Sequence, residues 1–97
     1  MELKKYKDKF SEYNYYEKDG EEVLHGLFKE YYEDGKIRIE YNYKNDEFNG
    51  LCKRYDEDGE LESEYNYKDG KRHGLFKYYE DGKIRAEYNF KNNIQIN

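Results

Sequence analysis

Few residues in this 97-residue chain have side chains suited to chemistry: one cysteine, two histidines and several acidic turns. Cys52 could act as a nucleophile if a base lay beside it. The strand pattern of the sequence, however, predicts Tyr65 and Ile39 as its neighbours, and neither is a base. We therefore interpret Cys52 as a small apolar residue of the fold.

His25 and His73 could bind a metal ion, and they occupy equivalent places in a repeat. They lie two repeats apart, which at about 4.8 Å per strand separates them by roughly 20 Å. Two side chains at that distance cannot share one ion. We expect no metal and no cofactor, and we interpret both histidines as turn-proximal residues of the repeat.

Acidic residues concentrate in three turns and beside the middle one: Glu33-Asp34, Glu57-Asp58, Glu80-Asp81, Asp56 and Glu60. Such a row could bind divalent cations or imitate nucleic-acid phosphates. Calcium requires several oxygens at one point, whereas turns in alternate strands lie about 10 Å apart. We interpret the row as turn chemistry and solubility.

Composition excludes several classes of function. The formal net charge of −5 disfavours a nucleic-acid phosphate backbone as a ligand. One cysteine cannot form an intrachain disulfide, the N-terminal residues lack the apolar run of a secretory signal, and no stretch is long enough to span a membrane. There is no Ser–His–Asp set, paired-carboxylate pocket or phosphate loop. We expect a non-enzymatic, cytoplasmic protein.

The elements that position these residues belong to a repeat. A motif containing His-Gly-Leu-Phe-Lys and Tyr-Tyr-Glu-Asp-Gly-Lys-Ile-Arg occurs at 25–43 and again at 73–90, with a diverged copy at 49–67. Gly26, Gly50 and Gly74 follow one another at a period of 24 residues, which indicates a repeat architecture. We predict one domain over 1–97, with a capping hairpin at about 1–25 and repeats at about 26–49, 50–73 and 74–97.

The segments between turns predict strands. Asp-Gly recurs at their ends and favours type I′ hairpin turns. Within a segment, Ile37, Ile39, Tyr41 and Tyr43 alternate with polar residues, which is the period of a strand. The predicted fold is all-β: a single elongated antiparallel meander of about seven or eight strands. Aromatic residues make up 20% of the chain, so their rings would form its core.

Turn positions also predict the register. They place Lys29 opposite Glu40 and Lys53 opposite Glu64. They also place one tyrosine opposite each repeat glycine: Tyr13–Gly26, Tyr41–Gly50 and Tyr65–Gly74. The last copy lacks one residue before Gly82, so we predict that Phe76 cannot pair with Tyr88. We expect a bulge or a local break near Lys77, with Tyr78 on the charged side of the sheet.

The repeat resembles the MORN-repeat variant, the MORN-2 or YwqK-type antitoxin-like family. The positions that carry the resemblance are Gly26, Phe28, Tyr31, Tyr32, Gly35, Lys36, Ile37 and Glu40; Gly50, Tyr55, Gly59, Leu61, Glu64, Tyr67, Gly70 and Lys71; and Gly74, Phe76, Tyr78, Tyr79, Gly82, Lys83, Ile84 and Glu87. The middle copy departs from the pattern, with Cys52 in the aromatic slot and with Arg54 and Asp56 on the aromatic side. The resemblance implies a bacterial or phage setting and an antitoxin or immunity role.

We therefore predict a protein-binding module that acts through its aromatic side. The expected contact residues are Phe28, Tyr32, Tyr41, Tyr43, Phe48, Arg54, Asp56, Tyr65, Tyr67, Phe76 and Tyr88. One alternative is an acidic inhibitor that mimics nucleic acid and blocks a nucleic-acid-binding defence protein. Another is a self-assembling structural repeat protein, joined through open edge strands. We expect a protein partner and no direct binding of nucleic acid.

Overall fold

The computed structural model describes residues 2–97, and their regular secondary structure is entirely β-strand. Eleven strands form one antiparallel sheet: β1 (Lys4–Lys7), β2 (Ser11–Lys18), β3 (Glu21–Tyr31), β4 (Ile37–Lys44), β5 (Glu47–Phe48), β6 (Gly50–Tyr55), β7 (Leu61–Lys68), β8 (Lys71–Arg72), β9 (Gly74–Glu80), β10 (Lys83–Lys91) and β11 (Ile94–Gln95). Strands pair with their nearest neighbours along the chain, which confirms the predicted all-β meander of hairpins.

The sheet is a single layer, with overall extents of 42 × 36 × 13 Å. Its buried side chains nevertheless lie on one side: Ile39, Cys52, Ser63, Phe76 and Phe90. They are covered by neighbouring side chains of that side, most of them aromatic, because no second layer is present in residues 2–97. We call this side the aromatic face and the opposite side, which carries most of the strand lysines and glutamates, the charged face.

Two of the strands beyond the predicted seven or eight arise because glycines interrupt two strands, and the short β1 at the edge of the sheet adds another. β5 and β6 both pair with β4, and β8 and β9 both pair with β7. The glycines at these two places, Gly50 and Gly74, have a positive φ, as does the equivalent Gly26 within β3, and the three values lie between 95° and 103°. The main chain bulges there past an asparagine of the preceding strand. Asn42 Nδ2 donates to the Leu51 carbonyl at 2.6 Å, and Asn66 Nδ2 donates to the Leu75 carbonyl at 2.9 Å.

These bulges make the predicted tyrosine–glycine pairs wrong. Residues added at each bulge shift the strand against the one before it, so that Tyr13 pairs with Phe28. An aromatic residue still faces each glycine, but it comes from the following strand: Gly26–Tyr43, Gly50–Tyr67 and Gly74–Phe90. A ring beside a glycine covers backbone that has no side chain of its own.

Two kinds of turn connect the strands. Tight turns place two residues at positive φ, as type I′ requires: Asp19-Gly20, Asn45-Asp46, Asp69-Gly70, Asp81-Gly82 and Asn92-Asn93. At Asp34-Gly35 and Asp58-Gly59 only the glycine has a positive φ, so the type I′ prediction is wrong there. Gly35 N–H donates to the Tyr32 carbonyl at 2.9 Å, and Tyr32 N–H donates to the Lys36 carbonyl at 2.8 Å. This is a three-residue loop built on a type I turn.

The shortened last copy absorbs its deletion in the turn. A tight Asp81-Gly82 turn replaces the three-residue loop, and Glu80 pairs with Lys83 across it. Phe76 therefore pairs with Tyr88, and the predicted loss of this pair is wrong.

The predicted break near Lys77 is also wrong in place and cause. The register shift lies on the partner strand, between Ile84 and Ala86. The same shift occurs in the other two hairpins, so it belongs to the repeat and not to the deletion; the residues left over are Arg38, Glu62 and Arg85. Because β9 is regular, Tyr78 lies on the aromatic face and not on the charged face as predicted. Its ring centroid is 5.8 Å from that of Tyr65.

Candidate functional site

Aromatic rings form an unbroken row across the aromatic face. Neighbouring ring centroids are 4.8–5.8 Å apart, a range in which aromatic pairs stabilise each other. In order, the row contains Tyr6, Tyr13, Phe28, Tyr43, Phe48, Tyr67, Phe76 and Phe90. The Arg72 guanidinium ends it, 4.6 Å from the Phe90 centroid. Ring contacts thus supply the packing that a second layer would provide.

A second set of tyrosines lies beside this row. The rings of Tyr41 and Tyr65 lie 5.2 and 5.1 Å from those of Phe48 and Phe76. Tyr78 continues the set from Tyr65 and lies 6.1 Å from Tyr88. Tyr78 and Tyr88 are 37% and 39% exposed, and Tyr6 at the other end of the row is 40% exposed, so the aromatic face is most accessible towards its two ends.

In the middle repeat the row of rings stays continuous because a phenylalanine at a different repeat position supplies the ring, which the repeat pattern did not predict. Phe76 contacts Tyr65, Tyr67 and Phe90. One repeat earlier, the equivalent contacts are made not by residue 52 but by Phe48, whose ring lies 5.2, 5.0 and 5.0 Å from those of Tyr41, Tyr43 and Tyr67. Phe48 therefore fills the slot that Cys52 leaves open. The signal in the sequence was a phenylalanine at 48 where the other copies have Leu24 and Arg72.

Cys52 lies below these rings and is only 1% exposed. Burial raises the pKa of its thiol, a rise that a hydrogen bond with the Asn42 backbone partly offsets. A buried thiol with a raised pKa is a poor nucleophile. A small cavity of about 60 Å³ remains above it, lined by Tyr41, Phe48, Cys52, Tyr65 and Tyr67.

The two polar residues predicted at the centre of the face have different positions. Arg54 lies on the face, where its Nη1 donates to the Tyr41 hydroxyl at 3.3 Å, and this hydrogen bond raises its pKa. Asp56 instead belongs to the adjacent turn. Its Oδ1 accepts the N–H groups of Asp58 and Glu60 at 2.9 and 3.0 Å. Asp56 therefore stabilises a loop.

Most of the predicted contact residues are brought together. The connected group contains Phe28, Tyr41, Tyr43, Phe48, Arg54, Tyr65, Tyr67, Phe76 and Tyr88. Tyr32 lies apart in a turn, where its hydroxyl donates to the Tyr55 carbonyl at 2.7 Å. Four residues of the face were not among the predicted contact residues: Tyr6, Tyr13, Tyr78 and Phe90. Phe90 holds the repeat position of Tyr43 and Tyr67.

On the charged face, lysine and glutamate alternate from strand to strand in one row. The row reads Lys7, Glu12, Lys29, Glu40, Lys53, Glu64, Lys77 and Glu87. The predicted pairs Lys29–Glu40 and Lys53–Glu64 are confirmed as two of its steps. Three further steps depend on the glycine bulges: Glu12–Lys29, Glu40–Lys53 and Glu64–Lys77. Within residues 2–97, Lys7–Glu12 is the one step of this row that forms an ion pair, at 3.5 Å; at the other steps the charges share register positions without that contact.

Tyrosine hydroxyls hold two of these glutamates. Tyr55 donates to Glu40 Oε1 at 2.7 Å, and Tyr79 donates to Glu64 Oε1. Burial, followed by this hydrogen bond, raises the pKa of Tyr55 to about 12. The bond to Glu64, followed by burial, raises the pKa of Tyr79 to about 12. These tyrosines therefore serve the charged face and do not add to the aromatic one.

Two of the three equivalent positions 25, 49 and 73 accept a main-chain N–H from a tight turn. His25 Nδ1 accepts the Asn45 N–H at 3.3 Å, and Asn49, one repeat later, accepts the Asp69 N–H at 3.0 Å. His73 Nδ1 is buried without a hydrogen-bond partner in residues 2–97. No group of three or more potential metal ligands occurs within those residues.

Fold and site together define a one-layer hairpin-repeat protein with one ring-covered face and one face of alternating charge. Repeat arrays of this kind present extended surfaces. Among residues 2–97 there is no helix with the length and apolarity to cross a membrane.

The MORN repeat variant family matches this chain at residues 24–45, 48–69 and 72–92. Each matched stretch contains one strand, the acidic turn and the returning strand. The chain therefore belongs to the MORN repeat variant family, as the resemblance implied. Searches of curated proteins and of solved structures returned no match. Three such repeats in one sheet indicate a repeat-based binding module.

Proposed function

We propose that this protein is a non-enzymatic, cytoplasmic protein-binding module that contacts its partner through the aromatic face. The observation that carries this proposal is the continuous row of rings, which no other element of residues 2–97 covers. The finer role is that of an antitoxin or immunity-type protein that blocks a toxin or effector by occupying its surface. The resemblance to antitoxin-like MORN proteins supports that role.

The chemistry of the face suits a protein partner. Tyrosine offers a large apolar area and a hydroxyl for hydrogen bonding, and it is frequent at binding hot spots. The rings stand on paired strands, so little conformational entropy is lost when they are bound. Arg54 adds a cation that can orient a partner carboxylate.

The positions of the reactive residues support a role without catalysis. The Cys52 thiol lies beneath rings, and His25 is engaged by a turn. The cavity above Cys52, about 60 Å³, is small beside the roughly 300–1,000 Å³ of ordinary ligand pockets, and a cleft of about 500 Å³ at the Gly35 and Gly59 turns has neither Cys52 nor a histidine in its lining.

Two adjacent residues of β9 provide a matched test. Tyr78 lies on the aromatic face and Tyr79 on the charged face. Each is changed to serine, and the purified variants are compared as bait for partners from the native cell. Losing a hot-spot ring costs about 2 kcal/mol, or about 30-fold in affinity. We expect Tyr78→Ser to lose the partner and Tyr79→Ser to retain it, with circular dichroism confirming that both fold. Equal retention by both variants would contradict the proposal.

The acidic turns support a second candidate, a mimic of nucleic acid. Asp34, Asp58 and Asp81 are all exposed at turn tips. Charge reversal at these three positions should abolish binding by a mimic and leave binding by the aromatic face unchanged. Binding by a mimic should also collapse between low and moderate salt, since exposed charges are screened.

A further inference from the structure

Strand β10 has an unpaired outer side. β11 pairs with it only at Phe90 and Lys91, and Ile96 N–H donates to the Asn89 carbonyl at 2.8 Å. From Lys83 to Tyr88, no strand within residues 2–97 lies along that side.

The array itself shows what occupies such a side. The equivalent side of β4 is filled by β6, with Ile39 opposite Arg54 and Glu40 opposite Lys53. The equivalent side of β7 is filled by β9, again with a lysine opposite a glutamate. Each added strand carries that lysine between two residues that point to the aromatic face: Cys52 and Arg54 in β6, Phe76 and Tyr78 in β9.

At β10, the row of charges on one face and the row of rings on the other each lack their next member. The row of alternating charge begins with Lys7 and stops at Glu87, which faces a lysine on its inner side only. On the aromatic face, Tyr88 is 39% exposed, whereas the equivalent Tyr41 and Tyr65 are half-buried under neighbouring rings. One added strand would complete both rows.

The main-chain N–H and carbonyl groups of β10 point in the directions that such a strand would need. Asn89 bonds outward through its carbonyl, and its N–H donates outward to Asn97 Oδ1 at 2.7 Å. Backbone groups alternate in direction along an antiparallel strand, so Glu87 also directs its N–H and carbonyl outward.

The opposite edge of the sheet differs. β1 has four residues, and three of them are lysine: Lys4, Lys5 and Lys7. A short, lysine-rich strand is a common protection against edge pairing. β10 is longer and carries exposed Ile84 and Tyr88, and its cations Lys83, Arg85 and Lys91 and its bulge at Arg85 lie outside the stretch of Glu87 and Tyr88.

We propose that the outer side of β10 binds an extended segment of a partner protein as an added antiparallel strand. The segment carries a lysine or arginine opposite Glu87 and an apolar or aromatic residue opposite Tyr88. This inference rests on the proposed role as a protein-binding module and names the kind of partner segment, one that adds main-chain pairing to the aromatic contact.

The probe is the synthetic peptide Gly-Leu-Phe-Lys-Tyr-Tyr-Glu, which has the sequence of β9. It is titrated into the intact protein, and the backbone amides of Glu87 and Tyr88 are followed by NMR. We expect saturable shifts confined to β10 and its neighbours. A range up to about 1 mM detects any complex with a dissociation constant near or below that value.

Charge reversal tests the register. Glu87→Lys should weaken binding of the peptide at least about fivefold, since an opposite-charge pair becomes a like-charge pair. A peptide with glutamate in place of its lysine should regain that loss on the variant. N-methylation of the lysine amide should abolish binding, because that N–H points at β10. The same change at the following tyrosine should be tolerated.

Three results would overturn the inference. The peptide could cause no saturable shifts, its affinity could be the same for the wild type and Glu87→Lys, or N-methylation could have the same effect at the lysine and at the following tyrosine. Sedimentation that shows a dimer dissociated by Glu87→Lys would also overturn it, because a second copy would then occupy the edge. Partner capture that depends on Tyr78 but occurs without peptide binding leaves the proposed function standing and removes only this inference.

Discussion

Moving the phenylalanine ring from position 48 to position 52, by Phe48→Leu and Cys52→Phe, tests how the middle repeat is packed. In the first and last copies the slot is filled by Phe28 and Phe76, and in the middle copy by Phe48 above Cys52. Two single variants, Cys52→Phe and Phe48→Leu, each disturb that arrangement. The double variant restores the pairing of the first copy, where Leu24 precedes a phenylalanine.

The expected magnitudes follow from the space and contacts at the slot. The cavity above Cys52 is about 60 Å³, whereas a cavity that holds a benzene ring is about 150 Å³. Cys52→Phe therefore overpacks the face, at a cost of about 1–3 kcal/mol. Phe48→Leu loses contacts with three rings from a half-buried site, at about 1–2 kcal/mol. The double variant should lie within about 1 kcal/mol of the wild type, a coupling of at least about 1 kcal/mol.

Urea unfolding measures these free energies. The chain has 14 tyrosines and no tryptophan, so tyrosine fluorescence reports on the rings while far-ultraviolet circular dichroism reports on the sheet. The two transitions must coincide before a single free energy is used, since repeat arrays can unfold in parts. A double variant that loses the sum of the two single losses would refute the reasoning, because the two positions would then not share one slot.

Three further results are expected from the same unfolding assay. Gly74→Ala should lower the free energy of unfolding by about 2–3 kcal/mol, and Gly59→Ala by about 1–2 kcal/mol. Both glycines have a positive φ, but only at Gly74 would the added Cβ meet a neighbour, an asparagine Cβ at 3.3 Å. Equal losses in the two variants would contradict this reasoning. Ser63→Ala should be neutral or stabilising, because the buried Ser63 hydroxyl has no hydrogen-bond partner in residues 2–97; a clear loss would show a hidden partner. The pKa of Tyr55 is raised in the folded state to about 12 by burial and by its bond to Glu40, so its contribution is full below about pH 10 and lost as pH rises through about 12. The stability difference between wild type and Tyr55→Phe should shrink over that range, and a constant difference would contradict the assignment.

The fold could be predicted because its signals are local. The tight turns at Asp19-Gly20 and Asp69-Gly70 need residues that accept positive φ, and that requirement is visible in the sequence. Alternation within a strand is equally local, so the sequence alone places Tyr41 and Tyr43 on one face. The pair Lys29–Glu40 is predicted correctly because two departures cancel: the loop at Asp34-Gly35 has three residues in place of two, and the shift at Arg38 restores the register.

The register between hairpins could not be predicted in this way. Each glycine bulge adds residues on one strand, and whether a glycine bulges depends on an asparagine supplied by the neighbouring strand. An error at the bulge then displaces every later pair of the two strands. The turn alone places Tyr41 opposite Gly50, whereas in the structure the neighbouring Glu40 pairs with Lys53, two residues further along β6 than that register gives. The deletion before Gly82 was misplaced for a related reason, since a turn accommodates a lost residue more readily than a ladder does.

The sequence by itself determined the repeat, the strands, the tight turns and the two-sided pattern of rings and charges, because each depends on residues close together in the chain. Only the tertiary structure decided which rings touch, that Phe48 replaces the ring missing at Cys52, and that the lysines and glutamates form one row ending at Glu87. Those features depend on register between hairpins, which is fixed by contacts between residues that are distant in sequence.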